Sequence, residues 1–198
     1  LIFASTQSVY TKYKKREIPF KENIKLQPDD IYGATKQIAE MALWGRGLVY
    51  VILRFSNLYG YGSGFSKYAS VLEKFTVLAS KDKTLTIYGN GKQGIDYLGV
   101  DDACDAIAKS IEKRNIRNAI LNIGSGKLLK INDIVKHLES VLEESILDKK
   151  LKVKYVKAPK GSVWPDRLMS IEKAKEILKW EPKVNSKEGI NNLFWRIR

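Results

Sequence analysis

The sequence predicts an α/β fold, and three observations carry that prediction. Strand-like and helix-like patterns alternate from one end of the chain to the other. The stretches VYVILRF and AILNIG are continuous apolar, β-branched runs of the kind that suit strands covered on both faces. DDACDAIAKSIEK and INDIVKHLESVLEES, by contrast, repeat their apolar residues at helical spacing.

Taken in order, LIFAS reads as a buried strand entered at Leu1, and a polar loop follows it through Pro28. A helix is predicted over Ile31–Leu43, with Asp29 or Asp30 as its N-cap after the proline. VYVILRF supplies the next strand, and Gly60, Gly62 and Gly64 break the chain before a helix near 65–80. LTIYG and IDYLGV read as two short strands around the turn NGKQG. The helix DDACDAIAKSIEK opens on acidic residues, which suit a helix N-terminus. AILNIG is a further strand, and the amphipathic helix after it starts at Asn132 or Asp133. LKVKYVKA alternates lysines with apolar residues, the pattern of a half-buried strand with a wet face. The helix IEKAKEILKW, stopped by Pro182, and a last helix near 187–197 complete the chain. No internal repeat or low-complexity linker separates these pieces, so they are expected to interweave.

A chain of 198 residues can bury one sizeable core, with or without a small satellite domain. No apolar run approaches the length needed to cross a bilayer. One cysteine (Cys104) and one histidine (His137) leave no internal disulfide and no Cys/His zinc site, so no metal is expected. The lone thiol fits a reducing cytoplasm, and its place in a helix-like stretch predicts a buried side chain. The net charge of +13 is compatible with anionic ligands, nucleic acid included. KYKKR is nevertheless a short cluster, and aromatic residues are not interleaved with the basic ones as a base-stacking surface requires. A lysine-rich solvated surface is the simpler reading. Because a buried strand pairs on both sides, the partners of LIFAS are expected to include residues upstream of Leu1.

Tyr32 and Lys36 form a Tyr-x-x-x-Lys pair within a predicted helix, which sets both side chains on one face. An ammonium beside a phenol favours the phenolate, giving a general base able to take a proton from a substrate hydroxyl. The same spacing recurs at Tyr10/Lys14, in a basic loop, and at Tyr88/Lys92, across a glycine turn. Neither of those lies in a helix pattern.

The segments FASTQSVY, PDDIYGATK, LRFSNLYG, IYGNGKQ, NIGSG and AKEILKWEPK follow one another in this order. Together they resemble the extended branch of the short-chain dehydrogenase/reductase family, the NAD-dependent sugar-nucleotide epimerases and dehydratases such as UDP-glucose 4-epimerase. The likeness runs over essentially the whole chain. It implies a Rossmann-type parallel sheet, of which these are the carboxyl-terminal strands and helices, beside a small α/β substrate-binding domain. It places residues 1–62 and 100–125 in the NAD-binding part, and 63–99 and 126–198 in the substrate-binding part. It also implies a cytoplasmic enzyme, a homodimer, and a glycine-rich cofactor loop lying before residue 1.

By the same resemblance Thr6 corresponds to the hydroxyl that bonds the reacting sugar oxygen, Tyr32 to the catalytic base, and Lys36 to the residue that holds the nicotinamide ribose. Phe55 and Leu58 fall where the family packs against the nicotinamide end of NAD. Asn57 matches a residue that contacts the nucleotide-sugar phosphates, and Tyr88 and Gln93 border the nucleoside. Lys160 falls near an expected phosphate-binding arginine and restores only its charge. Ile95 stands where an arginine commonly precedes Asp-Tyr, and Thr11 where a glycine follows Val-Tyr. Gln7 and Ser8 occupy the place of the Asp-Glu pair of 4,6-dehydratases, which favours an epimerase. A reductase or dehydrogenase of the same branch is the nearest alternative, and a non-catalytic basic binding protein on the same fold is the alternative from another class. GNGKQG fits G-x-G-x-x-G literally, but a strand-like run follows it where the dinucleotide loop opens a helix. GSGK at 124–127 lacks the earlier glycine of a Walker loop.

Overall fold

A computed structural model of the chain describes residues 1–10, 18–44, 47–62, 69–113, 115–145, 149–159 and 165–198. In chain order the elements begin with β1 (Ile2–Thr6), a 3-10 turn (Gln7–Tyr10), α1 (Ile31–Trp44), β2 (Val51–Phe55), β3 (Asn57–Tyr59), α2 (Val71–Ser80) and β4 (Leu85–Tyr88). They continue with β5 (Gly94–Gly99), α3 (Val100–Glu112), β6 (Ala119–Ile123), β7 (Leu128–Lys130), α4 (Ile131–Glu143), β8 (Val153–Val156), α5 (Glu172–Leu178) and α6 (Ser186–Ile197). The chain divides into two units, residues 1–58, 96–127 and 167–183 in the first and the remainder in the second.

The first unit is built on a parallel sheet of order β1-β2-β6. β2 lies in the middle, every one of its residues is buried, and this is why VYVILRF lacks the polar alternation of a half-exposed strand. Register pairs Leu53 with Ala4 on one side and with Leu121 on the other. The row Val51, Leu53 and Phe55 packs with Leu121, Ile123, Ala103, Ala106, Ala174, Leu178 and Trp180, so α3 and α5 cover one face. Small residues let both helices approach closely, and the Trp180 indole nitrogen donates to the Asp102 carbonyl at 3.1 Å. Residues 167–183, grouped by sequence with the later segment, therefore belong to the first unit, because α5 and Trp180 finish its core. Cys104 is exposed rather than buried, since Asp102, Ala103, Ala106 and Ser110 supply the inward side of α3.

In the second unit α2, α4 and α6 pack on one another around Leu72, Phe75, Leu138, Val141, Ile190 and Phe194. Ser70 caps α2 in a reciprocal box with Glu73, and Asn185 caps α6 by accepting from the Glu188 N–H. The two strands expected to flank NGKQG do not pair with each other. β4 pairs in parallel with the lysine-rich β8 instead, Leu85 opposite Val153 and Ile87 opposite Tyr155. Among the described residues no helix is long and apolar enough to cross a membrane.

Candidate active site

Tyr32 and Lys36 lie on α1, in the first unit. Asp30 caps that helix: its carboxylate accepts from the Gly33 N–H at 2.5 Å, which settles the choice between Asp29 and Asp30. One turn on, the Lys36 ammonium donates to the Ala4 carbonyl at 2.9 Å, two residues before Thr6. It stands 5.1 Å from the centre of the Phe3 ring and 5.9 Å from that of Tyr32. The Tyr32 side chain is 55% exposed.

Thr6 ends β1 and is buried, and its Oγ1 accepts from the Ser8 N–H at 3.2 Å. A hydroxyl that accepts one bond keeps its own proton and a second lone pair for another partner. Gly33 closes the arrangement. A Cβ on it would lie 2.5 Å from the Ser8 carbonyl oxygen, so only glycine lets the first turn of α1 rest on the turn that follows Thr6. Lys36 thus rests on β1 through Ala4, the Tyr32 ring lies near its ammonium, and the first turn of α1 meets the turn that follows Thr6, at the end of the strand where ligands bind in open parallel sheets. Gly33→Ala is expected to push the two backbones apart and to cost about 1–3 kcal/mol, read as a lower urea midpoint. An unchanged midpoint would contradict this packing.

Beneath the site runs a buried polar network that single-residue motifs did not reveal. Glu40 and Arg54 form an ion pair with side chains 0% and 1% exposed, Nη2 to Oε2 2.6 Å. Arg54 Nε also donates to Glu40, and its Nη1 donates to the Tyr10 hydroxyl at 2.7 Å. The Ser5 hydroxyl donates to Glu40 Oε1 at 2.5 Å, and the Tyr10 hydroxyl to Asn122 Oδ1 at 2.7 Å. Burial opposes the charge on Arg54, but its bonds to Glu40 and Tyr10 more than offset this and its pKa is raised. Burial also pushes the Tyr10 phenol well up, against the pull of Arg54.

Phe55 is 7% exposed and committed to the core, whereas Leu58 is 38% exposed. Asn57 Oδ1 accepts from the Gln7 side-chain amide at 2.8 Å. In the second unit Tyr88 and Gln93 line a cavity of about 340 Å³ with Lys74, Phe75, Thr86 and Ile131. Lys160 and Thr11 lie outside the described residues. The glycine segments behave as their contexts predict. GNGKQG is followed by β5, not by a helix. The N–H groups of Ser125 and Gly126 donate to the Asp96 carboxyl oxygens, at 2.7 and 3.2 Å, so an internal side chain fills that loop.

The family model for the NAD dependent epimerase/dehydratase family matches residues 1–124. The chain belongs to that family. Over 199 residues it is 30% identical to UDP-glucuronate 4-epimerase of Thermodesulfobacterium geofontis, a match covering 96% of this chain and 56% of that one. The structure of UDP-glucose 4-epimerase from Thermotoga maritima with UDP-glucose superposes at a TM-score of 0.84 and 32% identity, covering 98% of this chain and 62% of that one. UDP-glucuronic acid 4-epimerase from Bacillus cereus, in complex with UDP-glucuronic acid and NAD, matches at a TM-score of 0.82 and 26% identity, covering 99% and 60%. The chain therefore spans about six-tenths of the length of these epimerase/dehydratase relatives. Structural matches of this kind agree with the parallel-sheet α/β fold expected from the sequence.

Proposed function

We propose that the full protein is an NAD-dependent epimerase of a nucleotide sugar, with Tyr32 as its general base. The observation that carries this reading is the seating of the Tyr32/Lys36 helix on β1 and on the turn after Thr6, in a chain of the epimerase/dehydratase family. The residues present suit the ribose and nicotinamide end of NAD. Lys36 uses one of its three N–H donors on Ala4, which leaves two for ribose hydroxyls, and Leu58 is open to contact. When bound, NAD accepts a hydride from the sugar carbon and later gives it back.

Tyr32 takes the hydroxyl proton of that carbon, and Thr6 holds the same oxygen by hydrogen bonding as it becomes a carbonyl. Lys36 would hold the ribose through its free N–H donors. After the sugar has presented its other face, Tyr32 would return the proton to the same oxygen, giving the inverted alcohol. No water is lost in this sequence, in keeping with Gln7 and Ser8 where dehydratases carry two acids. Phe55 supports the nicotinamide side from the core. Asn57 and Lys160 are assigned to the diphosphate, and Tyr88 and Gln93 to the nucleoside.

Incubating the full-length protein with UDP-sugars should convert one epimer to the other with no net change in NADH absorbance. A stoichiometric change would instead identify a reductase or dehydrogenase. The location proposed is the cytoplasm, which fits the lone free thiol and is checked by fractionating cells. The assembly proposed is a homodimer, since Ile31, Ile38, Met41 and Trp44 leave an apolar side of α1 exposed. Sedimentation at micromolar concentration tests it, and a monomer would oppose it.

A further inference from the structure

The hold of α1 on its sheet is unusual for a helix next to a core. Only two of its residues are buried, Gly33 and Glu40, and neither is a large apolar side chain. Within this chain the buried contacts of α1 are thus a close backbone approach and a set of polar bonds. Gly33 fixes its start against the Ser8 carbonyl, and Glu40 fixes it two turns later. Tyr32 and Lys36 lie beside and between these two points. Glu40 follows Lys36 by four residues and Tyr32 by eight, so the three share one helix face.

The partners of Glu40 are equally specific. Its partners Ser5 and Arg54 lie opposite each other in the register of β1 and β2, and Arg54 lies opposite Asn122, which accepts from Tyr10. Ser5 precedes Thr6, and Arg54 precedes Phe55. Glu40 meets Ser5 through Oε1 at 2.5 Å and Arg54 through both carboxylate oxygens at 2.6–3.2 Å. A planar guanidinium bonded to both oxygens dictates orientation as well as distance. A buried ion pair is a costly way to gain stability, since well-packed apolar residues do as well or better. What it adds is a unique register.

We infer that the Glu40–Arg54 pair, with Ser5, is the positioning device of the catalytic helix. It holds Tyr32 and Lys36 at the height on β1 that lets them act with Thr6. The inference rests on the function proposed above.

The test uses the full-length, NAD-loaded protein, with rates expressed per NAD-containing site so that loss of folded protein does not register. Glu40→Gln keeps the shape of the side chain and removes its charge. Its kcat is expected to fall about 10- to 100-fold, because a displacement on the order of 1 Å is costly in a pre-oriented site. Ser5→Ala should lose about 3- to 10-fold by the same effect. In both, KM for the UDP-sugar should stay within about two-fold, since the groups assigned to the nucleotide are untouched. A wild-type kcat per site in Glu40→Gln, or a loss confined to KM, would overturn the inference. Should Glu40→Gln not fold, a wild-type kcat in Ser5→Ala overturns it alone. Tyr32→Phe in the same assay separates the two readings: its full activity would sink the function itself, whereas its loss beside an intact Glu40→Gln would sink only the positioning role.

Discussion

Tyr32→Phe in the full-length protein is expected to lower kcat by about 10³-fold while NAD remains bound. General acid–base catalysis by one positioned side chain contributes about 10²–10⁴-fold, and phenylalanine removes the only atom of residue 32 able to carry the proton. A 10³-fold loss corresponds to roughly 4 kcal/mol of transition-state stabilisation. The substitution should leave the surroundings in place. The Lys36 ammonium is tied to the Ala4 carbonyl and to the Phe3 ring, and both contacts are independent of the tyrosine oxygen. The side chain is largely open, so little packing is lost with the hydroxyl. Initial rates on a UDP-sugar, with bound NAD measured after denaturing the protein, check this directly. A variant with full turnover would remove Tyr32 from the mechanism.

Arg54→Met should produce the largest loss of stability from a single substitution here, about 3–5 kcal/mol, because it strands the buried Glu40 carboxylate without its cation. Ser5 alone would then remain bonded to it. The Tyr10 hydroxyl would also lose its donor from Arg54. Adding Glu40→Leu to Arg54→Met should restore much of the loss, since an apolar pair of similar volume needs no desolvated charge. Urea unfolding of the single and double variants gives both numbers. A single-variant loss below about 1 kcal/mol would show that water reaches the pair and that it is not buried as described.

The sheet was legible in the sequence because β2 and β6 have nothing polar to expose except residues with partners. Arg54 was the informative exception. An arginine inside VYVILRF cannot be solvated there, so it needs a buried partner, and the structure shows that partner to be Glu40. That pairing joins a helix residue to a strand residue 14 positions on, and no local spacing pattern links the two. The pairing of β4 with β8 was hidden for a similar reason. A turn such as NGKQG signals a local hairpin, but the partner chosen lies beyond α4, and no short-range pattern reports it. Cys104 was misread because an apolar-looking window does not say which helix face turns inward. Thr6 is the last residue of β1, and its hydroxyl accepts from the Ser8 N–H of the following turn.

Hydride transfer within one protein-bound NAD makes a sharp isotopic prediction. Epimerisation run in heavy water by the full-length protein should give a product with no deuterium on the inverted carbon, because the hydrogen that leaves that carbon is the one that returns. Proton NMR of the product reads this position directly. Deuterium incorporated there at each turnover would mean that the carbon exchanges its hydrogen with solvent, and the oxidation–reduction account built on Tyr32, Lys36 and Thr6 would be wrong.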